Sequence, residues 1–315
     1  MITVLAGGVG AARFLRGLVR AVDPKDITVI VNVGDDLDWL GLRVCPDLDT
    51  ITYTLAGVIN PTNQWGRNDE RFTVRDELAR FDVPSWFTLG DRDLAVHLYR
   101  SERLKSGATL SDVTAEIAQR FAVPVRLLPA TNDRVTTRIT TTTGEDLHFQ
   151  EYWVRERARP DVDQVRLAGA INATPAPGVL DALRHADAIL FAPSNPVVSI
   201  GTILQIPMMR DAIMHAAAPV VGVSPIIGGA VVRGMADKLL PSVGAAVSAD
   251  GVAGLYAGLI DGWVIDNKDA ALVDTISRQG VTTIATDTVI DTPERAEGLA
   301  LRCLELAAHL AGASS

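Results

Sequence analysis

The sequence is poor in several things, and each shortage closes a class of function. Its 315 residues include two cysteines, Cys45 and Cys303, far apart in the chain. Two distant thiols build neither a disulfide framework nor a structural zinc site, so both read as ordinary thiols of a reducing compartment. Five histidines, at 97, 148, 185, 215 and 309, carry no metal-ligand spacing, and no Ser-His-Asp or Cys-His arrangement stands out. Basic residues are outnumbered 29 to 38 for a net charge of −9, and they are scattered singly, which argues against a nucleic-acid footprint. No charge-free stretch of about 20 apolar residues is present, so no membrane span is expected. Without a basic leader ahead of the first apolar run, a soluble, cytoplasmic protein is expected.

What is present is a chain that is 48% hydrophobic and 21% charged, enough to bury a large core. Ile2 to Ala6 is a short apolar run, Gly7, Gly8 and Gly10 follow at once, and Ala11 to Val22 carries apolar residues at helical spacing. A strand, a glycine turn and a helix in that order bring backbone close to a ligand. They also aim unpaired N–H groups and the positive dipole end at it, which suits a phosphate or diphosphate. Gly8, Val9, Gly10 and Ala11 are the candidate phosphate residues. The dinucleotide fingerprint is only half matched, because its last small residue is replaced by Arg13. Ordinary NAD binding is disfavoured, and Arg13 joins the anion-binding candidates.

A second strand, Ile27 to Val33, is β-branched throughout and completes a βαβ unit. It ends at Asp35 and Asp36, and Asp47 and Asp49 follow just before an apolar helical run over Ile51 to Val58. Four carboxylates at one strand edge repel each other. If they converge, a bound Mg²⁺ is the better account, with Asp35, Asp36, Asp47 and Asp49 as candidate ligands; otherwise they are a solvated acidic loop.

Further along, Trp65, Trp86 and Phe87 are candidates to stack on a flat ring, Arg92 lies between two acids, and His97 reads as a packed helix residue. From Val125 to about Ala168 the texture becomes alternating and threonine-rich around Gly144, the pattern of a β-meander. The α/β rhythm then resumes. Strand-end loops at Ser194, Asn195 and Ser199 and at Gly228 and Gly229 offer amides and hydroxyls to phosphate. The expected fold class is α/β: a Rossmann-like, mostly parallel sheet flanked by helices, with an inserted α+β substrate-binding region. The whole of 1–315 is read as one unit, with its core over roughly 1–60 and 165–315 and the insertion over roughly 61–164.

Six stretches taken together carry a resemblance: Ala6 to Arg13, Asn32 to Asp36, Pro46 to Thr50, Leu89 to Leu94, Pro193 to Ile200 and Ser224 to Gly229. The sequence resembles the CofD family of 2-phospho-L-lactate transferases, and most closely its actinobacterial members. The resemblance implies transfer of a phosphoenolpyruvyl or 2-phospho-L-lactyl group from a guanylyl diphosphate donor (enolpyruvyl- or lactyl-diphospho-guanosine) to the ribityl hydroxyl of the deazaflavin Fo. The products implied are dehydro coenzyme F420-0 or F420-0 together with GMP, with Mg²⁺ required. Position by position it assigns deazaflavin binding, and with it a catalytic role, to Asp49 and Arg92, with Trp86 a stacking candidate beside them. The glycine turn and the Ser194 and Gly228 loops would hold the guanosine diphosphate. Such a reaction needs positioning and charge neutralisation rather than a side-chain nucleophile. The competing reading is a regulatory protein resembling the YvcK-like gluconeogenesis factors, which bind nucleotide sugars without transfer. A homodimer is expected because such dimers dominate among soluble oligomers.

Overall fold

The computed structural model describes residues 1–313. Seven strands form one parallel sheet: β1 (Ile2–Ala6), β2 (Ile27–Val31), β3 (Arg126–Pro129), β4 (Ala188–Phe191), β5 (Val220–Val223), β6 (Gly262–Asp266) and β7 (Thr282–Thr286). Their spatial order is β7-β6-β5-β4-β1-β2-β3, with β1 in the middle. Ile2 pairs with Ile27 on one side and with Ala188 on the other. Every residue of β1, β2 and β6 is buried, which is why these runs show no polar alternation: both faces are covered.

The longer helices are α1 (Gly8–Ala21), α2 (Pro46–Leu55), α3 (Asp91–Lys105), α4 (Leu110–Arg120) and α5 (Pro293–Ala313). α1 packs its Ala11, Ala12, Phe14, Leu15 and Leu18 face into the core, leaving Arg13 and Arg16 only half-buried on the other side. α4 starts on a capping box in which Thr109 and Asp112 exchange bonds, a start the sequence announces.

Two boundaries differ from expectation. α2 begins at Pro46, five residues before the apolar run, because proline fits the first helical position and has no N–H to waste there. Asp47 and Asp49 therefore sit in its first turn rather than in a loop. The region drawn as an insertion over 61–164 is not separate from the core either: Arg126–Pro129 inside it pairs with β2 as an edge strand of the main sheet. The remainder of that region does hold a three-stranded antiparallel sheet of Thr136–Thr141, Asp146–His148 and Val162–Ala168, turned at Gly144. No helix among the described residues is long and apolar enough to cross a membrane.

Candidate active site

Strand order reverses between β1 and β4, and in an open α/β sheet ligands bind beyond the carboxyl ends of the strands at such a point. A cavity of about 540 Å³ opens there. Its floor is the turn from β1 into α1. Gly7 caps α1 without a side-chain bond, so the amides of Val9 and Gly10 have no capping side chain competing for them, while the Gly8 amide faces Asp47. Two glycines are required by their neighbours. A β-carbon on Gly7 would stand 2.7 Å from both Asp47 Oδ2 and Ser199 Cβ, and one on Gly10 would stand 2.2 Å from the Pro193 carbonyl oxygen. The close approach of the Pro193–Ser199 loop to α1 depends on both. The Gly7 amide donates to Ser194 Oγ at 3.2 Å, tying that loop to the turn.

Asn32, just past β2, joins three walls. Its Nδ2 donates to Asp47 Oδ2 (2.9 Å) and to the Val198 carbonyl (3.1 Å), while its Oδ1 accepts from the Gly34 amide (2.9 Å) and Thr202 Oγ1 (2.6 Å). Asp35 and Asp47 both line the cavity and both are buried. Burial pushes the Asp35 carboxyl well above its ordinary range, and Asp47 adds to that. Burial likewise pushes Asp47 up to about 6, against the pull of Asn32 and the Gly8 amide. Asp35 Oδ1 is buried with no hydrogen-bond partner. An orphaned carboxylate oxygen beside a second buried carboxylate fits a divalent cation, which would relieve the repulsion and give that oxygen a ligand.

The cavity also has cationic lining. Arg13 and Arg233 both line the cavity, as do Gln150, Trp65, Trp153 and Thr288 to Asp291. Burial and the neighbouring guanidinium groups of Arg233 and Arg16 hold Arg13 below its ordinary range.

Of the residues expected from sequence, the structure gathers Gly8, Val9, Gly10, Arg13, Asp35, Asp47, Ser194, Asn195 and Ser199 around this cavity, together with Trp65. Others lie elsewhere. Ala11 is on the core face of α1. Gly228 and Gly229 form the left-handed tip of a small hairpin, and it is Ile227 and the following Val232 to Ala236 that reach the cavity. Asp36 is buried against Arg43, whose Nη2 donates to it at 3.2 Å, and burial pushes it up to about 6.

Asp49 is engaged on both oxygens by the buried Arg100 guanidinium of α3, with Arg100 Nη1 to Asp49 Oδ2 at 3.1 Å. Two residues apart on a helix point in different directions, so once α2 starts at Pro46, Asp47 and Asp49 cannot share a ligand. Arg92 is exposed on α3 outside the cavity, its amide held by Glu70. Trp86 packs edge-on to Trp39 at 4.7 Å in an aromatic cluster with Phe87 rather than on the cavity wall. The four acids thus divide into two that line the cavity and two that are neutralised by arginine. Among the described residues no three His, Cys, Asp or Glu side chains are arranged to hold a metal alone. Two carboxylates completed by ligand oxygens and water remain a normal magnesium arrangement.

Missed in the sequence were Arg233, Gln150, Trp153 and the Thr288–Asp291 segment. Their spacing carries no signal, and only the fold brings them to β1. Arg233 has one faint mark: it follows the Gly228-Gly229 turn closely in sequence.

The model of the family described as 2-phospho-L-lactate transferase CofD matches residues 2–305. A phosphoenolpyruvate transferase of Streptomyces griseus is 51% identical over 311 residues, covering 97% of this chain and 98% of that protein. The phosphoenolpyruvate transferase of Thermobifida fusca is 51% identical over 322 residues, covering 98% of each, and that of a Mycobacterium species is 44% identical over 310, covering 91% and 94%. The fold is similar to the crystal structure of a UPF0052-family protein of Bacillus halodurans, with a TM-score of 0.62 at 17% identity over 96% of this chain and 98% of that one. With the family match running from β1 into α5 and relatives above 50% identity along nearly the whole length, the chain belongs to the CofD family and is a transferase.

Proposed function

We propose that the protein transfers a phosphoenolpyruvyl group, or its lactyl counterpart, from a guanylyl diphosphate donor to the ribityl hydroxyl of Fo. The product is dehydro coenzyme F420-0, or F420-0, and GMP leaves. In bond terms, the hydroxyl oxygen attacks the phosphorus that bears the acid. The bond from that phosphorus to the bridging oxygen breaks with its electron pair going to GMP, and the hydroxyl proton passes to a base.

One observation carries the reading: helix-start amides, Ser194, two buried carboxylates and two arginines share a single cavity at the switch point of the sheet. The first-turn amides of α1 would receive the diphosphate. Asp35 and Asp47 would hold Mg²⁺, which when bound neutralises charge on the diphosphate. The Asp35 oxygen that the ion leaves free would accept the hydroxyl proton. Trp65 and Trp153 would offer flat surfaces in the cavity lining for a tricyclic acceptor. Asp49, held by Arg100, would position the first turn of α2 and thereby Asp47. Arg92 would meet the acceptor only from the outer surface.

The test is mass spectrometry of the product formed from Fo and each candidate donor, with and without Mg²⁺. A mass gain on Fo equal to the phospho-acid unit, with GMP released, is expected. Binding of guanine nucleotide sugars with no product from either donor would replace this reading with the regulatory one.

A further inference from the structure

The cavity has two places for negative charge, and the diphosphate accounts for one. The amides of Gly8 to Gly10, Ser194 and the acids of β2 and α2 form a single pole at the strand ends. The second pole is made of arginine. Arg13 stands five residues beyond Gly8, about 7 Å further along α1 at the usual helical rise. Arg233 enters from the loop after Ala230–Val231.

Neither arginine is neutralised by what it touches. Arg13 Nε donates to the Gln64 side-chain carbonyl, and Arg233 Nη2 donates to the Asn63 carbonyl at 2.7 Å, both uncharged oxygens. Asp291 lines the same cavity and attracts Arg13, but among the described residues it makes no ion pair with it. A third guanidinium, Arg16, has its Nε buried without a partner. In a chain with a nine-charge excess of acid, two cavity-lining arginines that make no ion pair among the described residues are arranged for an anion that arrives from outside.

We propose that Arg13 and Arg233 form a clamp for the carboxylate of the transferred phospho-acid, and so select donors that carry one. The inference rests on the donor reading above and deepens it. Planar guanidinium groups suit a carboxylate, which each can grip with two parallel N–H bonds. The strap at Asn63 and Gln64 holds both arginines in the meantime, supplying neutral acceptors that a charged one displaces. Trp65, next in the strap, lines the cavity and packs on Phe87 at 5.3 Å, so an acceptor ring seated there would press on the segment that restrains the clamp.

The test compares two stable donor mimics: guanosine diphosphate esterified on its terminal phosphate with glycolate, which adds a carboxylate, or with ethanol, which does not. Binding to the full chain with Mg²⁺ is followed by titration calorimetry. The expected result is that the wild-type protein binds the glycolate ester at least about tenfold more tightly, the scale of a charge-assisted pair. Arg233→Gln and Arg13→Gln should erase that preference while leaving ethyl-ester affinity within about twofold, and Arg233→Lys should keep part of it, since it retains charge and loses only the fork.

Equal binding of the two esters by wild type overturns the clamp. So does a glycolate preference that survives both glutamine variants, or an equal loss of both esters, which would place the arginines on the diphosphate. If wild type binds neither ester nor guanosine diphosphate itself, the donor reading falls and the clamp with it.

Discussion

Asn32 Nδ2 donates to Asp47 Oδ2 across 2.9 Å, joining the end of β2 to the first turn of α2. The same side chain uses its other hydrogen-bonding positions on Val198, Gly34 and Thr202, so all three walls of the donor site meet on one amide. Replacing Asn32 with leucine strands a buried carboxylate, a carbonyl and an N–H at once. Loss of about 2–4 kcal/mol in urea unfolding is expected, since each stranded group carries its own desolvation cost. A loss below about 1 kcal/mol would mean that the walls hold together without this amide.

The acids lining the cavity make stability depend on pH in a stated direction. Asp47 is pushed up to about 6 by burial and Asp35 is pushed up as well, whereas an unfolded aspartate titrates near 3.9. The folded chain therefore holds more protons than the unfolded one between about pH 4 and 6, and stability falls as pH rises through that window. Mg²⁺ should reverse the loss only where the carboxylates are ionised. Thermal unfolding with and without the ion is expected to show a rise in Tm at pH 8 that vanishes by pH 5. An equal rise at both values would show that the ion binds elsewhere.

Asp47 and Asp49 should respond oppositely to substitution. Asp47→Asn removes a charge that burial disfavours, so Tm should hold or rise while turnover falls about a hundredfold or more. Asp49→Ala leaves Arg100 buried and unpaired, at a cost of about 3–5 kcal/mol. The pair Asp49→Leu with Arg100→Met should recover most of that. Calorimetric unfolding beside steady-state rates separates the two, and a fully stable Asp49→Ala with no turnover would return Asp49 to direct contact with substrate.

Gly10→Ala puts a methyl where the Pro193 carbonyl already stands, 2.2 Å from the new carbon. The Pro193–Ser199 loop must retreat from α1. Guanosine diphosphate affinity is expected to drop by more than tenfold with the far-ultraviolet spectrum unchanged, as read by titration calorimetry and circular dichroism. Unaltered affinity would remove that loop from the phosphate site.

Much of the site was legible in the sequence because it is local. The strand, glycine turn and arginine of residues 2–13 state their geometry by spacing alone, and so does the Ser194 loop after β4. What escaped was decided at a distance or by a cap. Asp49 read as a partner of Asp47 until Pro46 proved to start the helix and turned the two side chains apart. Asp36 read as a ligand because nothing local announces Arg43 folded back onto it. Arg126–Pro129 reads with the meander, since a four-residue edge strand with an exposed first residue has no pattern of its own. Arg233 becomes visible only when the loop after β5 closes over α1.

The middle place of β1 in the sheet has a consequence for how the molecule comes into being. β1 needs Ala188 to Phe191 along its second edge before it is enclosed. The whole stretch between these two strands must therefore be made while the phosphate turn waits half-built. Pairings so remote in sequence are slow to close and leave a bare apolar ribbon in the interval. For the nascent chain, the hazard lies in the same five residues that later anchor its chemistry.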